Sequence, residues 1–312
     1  MEKIIIMTII NFIEKFSTEQ SCKEYYRDLR LKEGVKCKKC GCEKHYWLQG
    51  IWQFQCSKCS FRTTLKSGTV MEHSNLPFRK WFLIMLFMTS TKKGMSASEL
   101  QRQLGHSRYR TIWQIMHKLR IVMGKRDDMY KLADMVEFDE GYFEKTVTKK
   151  VKENLKRGRG SQRQSNVAVM AESTPLENIE TGKTENHCRY FKMKVLKTHK
   201  AEEIHSLIKQ SLDSKTFVFS DNSTSYINMS DYIEAHLSEN STKETTQTTL
   251  KWVHIAISNA KRTLLGIHHK INGEYLQNYL DEFTYKLNRR NFKSTFERLA
   301  VAGVSNYCYN CD

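Results

Sequence analysis

Near the start of the chain, apolar residues recur at helical spacing, with Ile9, Phe12, Ile13 and Phe16 on one face. This pattern predicts helix through residues 1–33. From 35 to 66 the spacing shortens to strand-like alternation among cysteines and aromatic residues, and 78–124 returns to helical period as three successive helices. A new style begins near Met135, where Val136-Glu137-Phe138-Asp139 reads as a buried strand ending on an acid. Further strands are predicted at Asn166–Glu172, Arg189–Leu196 and Thr216–Ser220, with helices over Ala201–Leu212 and Glu274–Arg289. Strands mixed with helices in this order suggest an α/β sheet domain. The polar stretch Ser173–His187 reads as a surface insertion, and Ser238–Thr249 as a loop rich in Ser and Thr.

Pro77 and Pro175 are the only prolines, so boundaries rest on pattern. They divide the chain into an N-terminal helical segment (1–34), a cysteine-bearing module (35–66), a helical region (78–125), an α/β domain (132–292) and a C-terminal tail (293–312).

A length of 312 residues accommodates about two domains. The formal charge of +17 implies a polyanionic partner, either nucleic acid or an acidic membrane surface. The longest interior apolar run, Trp81 to Met88, is far shorter than the ~20 residues that span a bilayer. Ile4 to Ile13 follows Lys3 in the manner of a signal peptide, but no small-residue cleavage site comes after it and Glu14-Lys15 arrives at once. The expectation is a cytoplasmic, nucleoid-associated protein with no membrane partner. In a reducing compartment its nine cysteines point to metal or free thiols, not to disulfides.

Cys37-x2-Cys40 and Cys56-x2-Cys59 are separated by fifteen residues, a spacing that suits a structural Zn2+ bound by four thiolates. The residues between them, including Tyr46, Trp47, Trp52 and Phe54, make a hairpin too small to be stable without metal. Cys42 reads as a bystander, and Cys308-x2-Cys311 as a lone pair.

Ser96-Ala97-Ser98-Glu99 opens a helix in capping-box style, Leu100 and Leu104 share a face, and Gly105 allows a tight turn. A second helix from about Arg108 places Ile112, Trp113, Met116 and Leu119 at core spacing. Arg108, Arg110, Gln114, Lys118 and Arg120 are then available to face outward. That is how a helix-turn-helix presents its second helix to a DNA groove. The competing reading is a plain helical hairpin with a solvated charged face.

Asp139 and Asp221 each end an apolar strand. Strand tips are rigid, so two such carboxylates can share divalent ions, Mg2+ or Mn2+, at a phosphodiester. For Asp139 alone, a strand-end acid binding a loop amide is the better account, and the second acid in a matching context shifts the balance modestly towards metal.

The order of ribbon, helix pair and Val-Glu-Phe-Asp-Glu-Gly-Tyr resembles the zinc-ribbon insertion-sequence transposases with an ISXO-type catalytic domain. So do Lys156-Arg157-Gly158-Arg159-Gly160 and Phe-Ser-Asp221 followed by Tyr226. The most specific stretch runs from His254 through Asn259, Lys261, Arg262, Gly266, His268 and His269. It continues into Leu276-Gln-Asn-Tyr-Leu-Asp-Glu282 and Asn288-Arg289-Arg290. The resemblance implies a ribonuclease-H-like catalytic domain with Asp139 and Asp221 as the first two metal ligands. At the third position, where the family usually has Glu, it implies Asn259, with Lys261 near the scissile phosphate. His254, Glu274 and Glu282 remain alternative third ligands, with a solvated helix face favoured for Glu282. For His268-His269, DNA contact and a helix C-cap stand as equal readings.

Residues 149–163 carry seven basic side chains against one acid, and Lys156, Arg157 and Arg159 are expected to meet DNA. The expected activity is metal-dependent strand cleavage and strand transfer on double-stranded DNA. The partners are the element's terminal inverted repeats and a target, held by a homodimer or larger oligomer. The rival readings are a catalytically inactive DNA-binding regulator and a nuclease that cuts without joining.

Overall fold

A computed structural model describes residues 7–146, 161–177, 184–198, 200–223, 226, 228–240, 242, 248–269 and 271–305. The chain divides into two compact units, Met1–Arg126 with Asn291–Asp312, and Asp127–Arg290.

The first unit opens with α1 (Ile9–Lys15) and α2 (Glu19–Glu33), followed by a three-stranded antiparallel sheet of β1 (His45–Leu48), β2 (Gln53–Cys56) and β3 (Arg62–Thr64). Then come α3 (Phe78–Ser90), α4 (Ala97–Gln103) and α5 (Tyr109–Asp128), whose last residues pass into the second unit. Phe12, Phe16, Phe82 and Phe296 interlock in the core, with ring centroids 5.0 Å apart for Phe16–Phe82 and 5.8 Å for Phe12–Phe296. Tilted and edge-on aromatic pairs of this kind add about 1 kcal/mol each beyond the area they bury.

Phe296 belongs to a helix, Thr295–Ser305, where the sequence suggested only a tail over 293–312. That helix buries Phe296, Leu299, Ala300 and Ala302, and the Gly303 carbonyl accepts the Val70 amide at 2.9 Å. Its apolar stripe is short and its partners lie more than two hundred residues earlier, so the local pattern did not reveal it.

The start of α4 follows the sequence closely: Ser96 Oγ accepts the Glu99 amide at 3.1 Å. Gly105, at φ +56, makes the turn into α5 in a conformation that costs other residues energy. Ile112, Met116, Leu119 and Val122 fill the buried stripe of α5.

The second unit is built on β4 (Met135–Glu144), β5 (Gln164–Glu177), β6 (Thr184–Leu196), β7 (Phe217–Asp221) and β8 (Ala235–Glu239), in the order β6-β5-β4-β7-β8. β4, β5 and β6 form an antiparallel meander, while β7 runs parallel to β4 and β8 parallel to β7. α6 (Ala201–Ser211) links β6 to β7. The helices α7 (Lys251–His268) and α8 (Leu276–Asn288) complete the unit.

Alternation along the strands divides two cores. Val136, Phe138, Ala168, Met170 and Val218 pack with α6 residues on one face of the sheet. On the other, Phe143, Val167, Val169 and Ala171 pack with α7 and α8.

The polar stretch expected as an insertion largely continues the β5–β6 hairpin, with the backbone ladder reaching Glu177↔Thr184. Ladder bonds need no apolar side chains, so polarity hid these strands. β8, partly inside the expected Ser/Thr loop, escaped for the same reason. No helix among the described residues is long and apolar enough to cross a membrane.

Candidate functional site

The ribbon gathers Cys37, Cys40, Cys56 and Cys59, whose sulfur atoms all lie within 4.8 Å of one another. Cys37–Cys59 and Cys40–Cys56 Sγ separations are both 3.5 Å. Zinc–thiolate bonds of about 2.3 Å in a tetrahedron place sulfurs roughly 3.8 Å apart, so the cluster fits one ion. The two cysteine turns match. The Gly41 amide donates to Cys37 O at 2.9 Å and the Ser60 amide to Cys56 O at 3.0 Å. Both turn residues have left-handed backbones, at φ +71 and +58. Cys42 stands outside the cluster, and Cys308 and Cys311 fall outside the described residues.

Asp139 and Asp221 come together through β4 and β7. Their parallel register ends at Phe138↔Ser220, which puts the two aspartates side by side on the same sheet face. Glu239, opposite Asp221 on β8, extends the row; the Thr249 hydroxyl holds it at 3.0 Å. Burial pushes the Asp139 carboxyl up to about 6, and the charges of Asp221 and Glu140 add to that. The Glu140 amide, donating to Oδ1 at 2.7 Å, and the Lys261 ammonium pull the other way. Asp221 Oδ1 is buried without a hydrogen-bond partner. Two facing carboxylates, one with an orphaned oxygen, fit a shared divalent cation.

α7 lies along β4 and supplies the rest of the site. Glu137 Oε2 accepts the amides of Trp252 at 2.7 Å and Val253 at 3.0 Å. A Cβ on Gly141 would come within 3.3 Å of Ile257 Cγ1, so the missing side chain lets the helix settle close. Lys261 Nζ stands 5.7 Å from the Phe143 ring centre.

In this seating His254 Nε2 is 3.7 Å from Asp139 Oδ2. Burial lowers the imidazole pKa, against the pull of Asp221, and so favours the neutral ring that binds metal. Ligand atoms about 2.1 Å from a common ion lie roughly 3 to 4 Å apart, a range that includes this contact.

Asn259, expected at the third position, does not share that flank. At 100° per residue, seven residues bring Lys261 back to within about 20° of His254, while five carry Asn259 about 140° away. Asn259 is exposed, beyond a buried stripe of Val253, Ala256, Ile257, Ala260 and Leu264. The structure thus brings together Asp139, Asp221, His254 and Lys261. Glu274 is exposed, whereas Glu282, expected on a solvated face, is 5% exposed. His269 is the C-cap of α7, and the His268 ring packs 4.4 Å from that of Tyr279.

Of the residues expected at DNA, Arg108 and Arg110 are exposed, and Gln114 and Lys118 half-exposed. A cleft of about 570 Å3 beside the start of α5 is lined by Lys80, His106, Arg108, Gln114 and Lys118. Arg120 is corrected: it is 1% exposed, with its guanidinium 3.4 Å from His117 Nε2. It lies four residues after Met116 and eight after Ile112, on the same buried stripe. Lys156, Arg157 and Arg159 fall outside the described residues.

Two stretches of the chain match transposase domain families. Residues 17–62 match the transposase zinc-ribbon domain, which together with the sulfur cluster supports structural zinc. An uncharacterized protein in transposable element ISH50 of Halobacterium salinarum is 28% identical over 152 residues, which is 47% of this chain and 50% of that protein. The chain therefore spans about half the length of the curated relative it matches. The solved structure of a pre-cleavage Mos1 transpososome aligns with 73% of this chain and 79% of its own, at 10% identity and a TM-score of 0.26, too loose a likeness to place any residue. Residues 131–288, about half of the chain and nearly all of the second unit, match the ISXO2-like transposase domain. This chain belongs to the ISXO2-like transposase family, with a transposase zinc ribbon ahead of the matching domain.

Proposed function

We propose that the protein is an insertion-sequence transposase that cleaves and rejoins DNA strands at a site made by Asp139, Asp221 and His254, with Lys261 beside them. The observation that carries this is the parallel β4–β7 pairing, which sets two half-buried aspartates side by side with Asp221 Oδ1 left without a hydrogen-bond partner. The strand order β6-β5-β4-β7-β8, three strands antiparallel and then two parallel to the central β4, supports a ribonuclease-H-like reading of the second unit. The α4–α5 pair is read as a helix-turn-helix. Arg108, Arg110, Gln114 and Lys118 are its DNA-facing residues, and the terminal inverted repeats its target.

Magnesium or manganese, when bound, supplies positive charge at the scissile phosphate and a lower pKa for an attacking water or 3′-hydroxyl. The protein's own groups do the rest. Asp139, midway along β4, and Asp221, the last residue of β7, hold the ion from two paired strands of the sheet. His254 completes the set as a neutral donor, and Lys261 adds a fixed charge that attracts the DNA backbone into the site. Two subunits, each engaging one end of the element, would bring the ends together for joining.

Purified protein with Mn2+ or Mg2+ and end-bearing DNA should nick and join strands. Asp139→Ala and Asp221→Ala should bind the same DNA and do neither. Arg110→Ala should weaken DNA binding and reduce its dependence on salt concentration by about one counterion. Cleavage that survives both aspartate substitutions would refute the site.

A further inference from the structure

Glu137 is a buried carboxylate, 2% exposed, that none of the chemistry above uses. It stands on β4 two residues before Asp139, so both side chains leave the same face of the sheet. The amides it accepts, those of Trp252 and Val253, are the second and third of α7. First-turn amides have no partner inside their own helix, and Leu250, at the N-cap of α7, provides no side-chain cap. α4 is capped by its own neighbour, Ser96, whereas α7 takes its cap from the strand that carries Asp139.

That choice of partner has a geometric consequence. A cap from a neighbouring residue satisfies amides but leaves a helix free to slide or rotate over the sheet. A cap from β4 ties α7 to β4 at one point, and the residue after the tie is His254, which faces Asp139. Gly141 against Ile257 and Phe143 against Lys261 continue the same alignment along the strand. Both amides converge on Oε2, so a proton on Oε1 would leave the clamp intact.

We infer that Glu137 is a positioning residue for the metal site: its carboxylate clamps the start of α7 to β4 and thereby holds His254 in reach of the ion shared with Asp139. The inference rests on the metal-binding reading of that site.

The protein also contains a control for a purely structural cap. Glu19, in the unit that contains none of these residues, accepts the amides of Phe78 at 2.8 Å and Arg79 at 2.9 Å at the start of α3. The test is a Mn2+ titration of the full zinc-loaded chain, followed by electron paramagnetic resonance of the free ion, with amide exchange over 252–261 and thermal midpoints measured alongside. Glu137→Ala is expected to lower Mn2+ affinity at least tenfold and to speed exchange across that segment. Glu137→Gln, which keeps an acceptor oxygen, should stay within threefold of wild type. Glu19→Ala should lower the thermal midpoint and leave Mn2+ affinity unchanged. If Glu137→Ala does not fold, Glu137→Asp, one methylene too short to reach both amides, carries the same expectation.

A folded Glu137→Ala protein with wild-type Mn2+ affinity would overturn the inference alone. So would a loss in Glu19→Ala equal to that in Glu137→Ala, because the effect would then report only stability. Wild-type protein binding Mn2+ no better than an Asp139→Ala/Asp221→Ala protein would overturn the metal reading itself, and the clamp's purpose with it.

Discussion

The zinc cluster and the proposed aspartate site are assembled in opposite ways. The ribbon draws its four ligands from residues 37–59, as two Cys-x2-Cys turns joined by one short hairpin. The aspartate site draws Asp139 from β4, Asp221 from β7 and His254 from α7, and the helix must be seated on the sheet before the ligands meet. In the first case chain connectivity keeps the ligands close, and the metal supplies most of the order. In the second, sheet register and helix packing alone position the three side chains. A local site therefore depends on its ion, and a distributed site on its scaffold.

The largest effect is expected from removing a ribbon ligand. Cys40→Ser should release zinc and unfold residues 35–64, because structural zinc contributes on the order of 10 kcal/mol or more to such modules. A chromophoric chelator reads the release, and amide exchange in 135–221 should stay as it was. Spread of the unfolding into those strands would show that the two sites are not separately built.

Next in size is the third ligand. His254→Ala should slow strand cleavage about a hundredfold, near 2.7 kcal/mol in barrier, while Asn259→Ala stays within about twofold. Single-turnover cleavage of end-bearing DNA measures both, and the reverse ranking would return the role to Asn259.

The smallest effects come from one glycine in each site. Gly141→Ala should cost ~1–3 kcal/mol by pressing on Ile257 and Phe143, and should slow cleavage as well, since it shifts α7. Gly41→Ala, at φ +71 in a cysteine turn with open space around it, should cost about 1 kcal/mol and keep its zinc. Thermal melts with zinc analysis separate the two; equal loss of cleavage in both would erase the distinction.

The same contrast explains what could be read from residues. Paired cysteines at fixed spacing name their ion without a fold, and a Ser-x-x-Glu start followed by Leu100 and Gly105 foretells α4 and its turn. Asp139 and Asp221 stand out because each ends an apolar run, a property of local sequence. The family resemblance points to Asn259, but a linear motif does not say which side of a helix faces the sheet, and the structure sets His254 rather than Asn259 beside Asp139. His254 was recognisable only as one of several alternatives until the buried stripe of α7 fixed its rotation. Arg120 failed for the same reason, since charge alone suggested an outward face where helical phase places it inside.

Composition, spacing and periodicity alone thus determined a basic chain with a four-cysteine zinc module, a helical pair and an α/β domain with two acids that close apolar runs, although β4 continues past Asp139 to Glu144 because its later residues keep the backbone ladder with β5. These properties are written in residues near one another along the chain. Tertiary structure alone decided which strands pair, that β7 lies parallel beside β4, that Glu137 caps α7, and that His254 rather than Asn259 meets Asp139. Such choices depend on register and on the rotation of one element over another, set by packing between segments more than a hundred residues apart, and no local pattern encodes them.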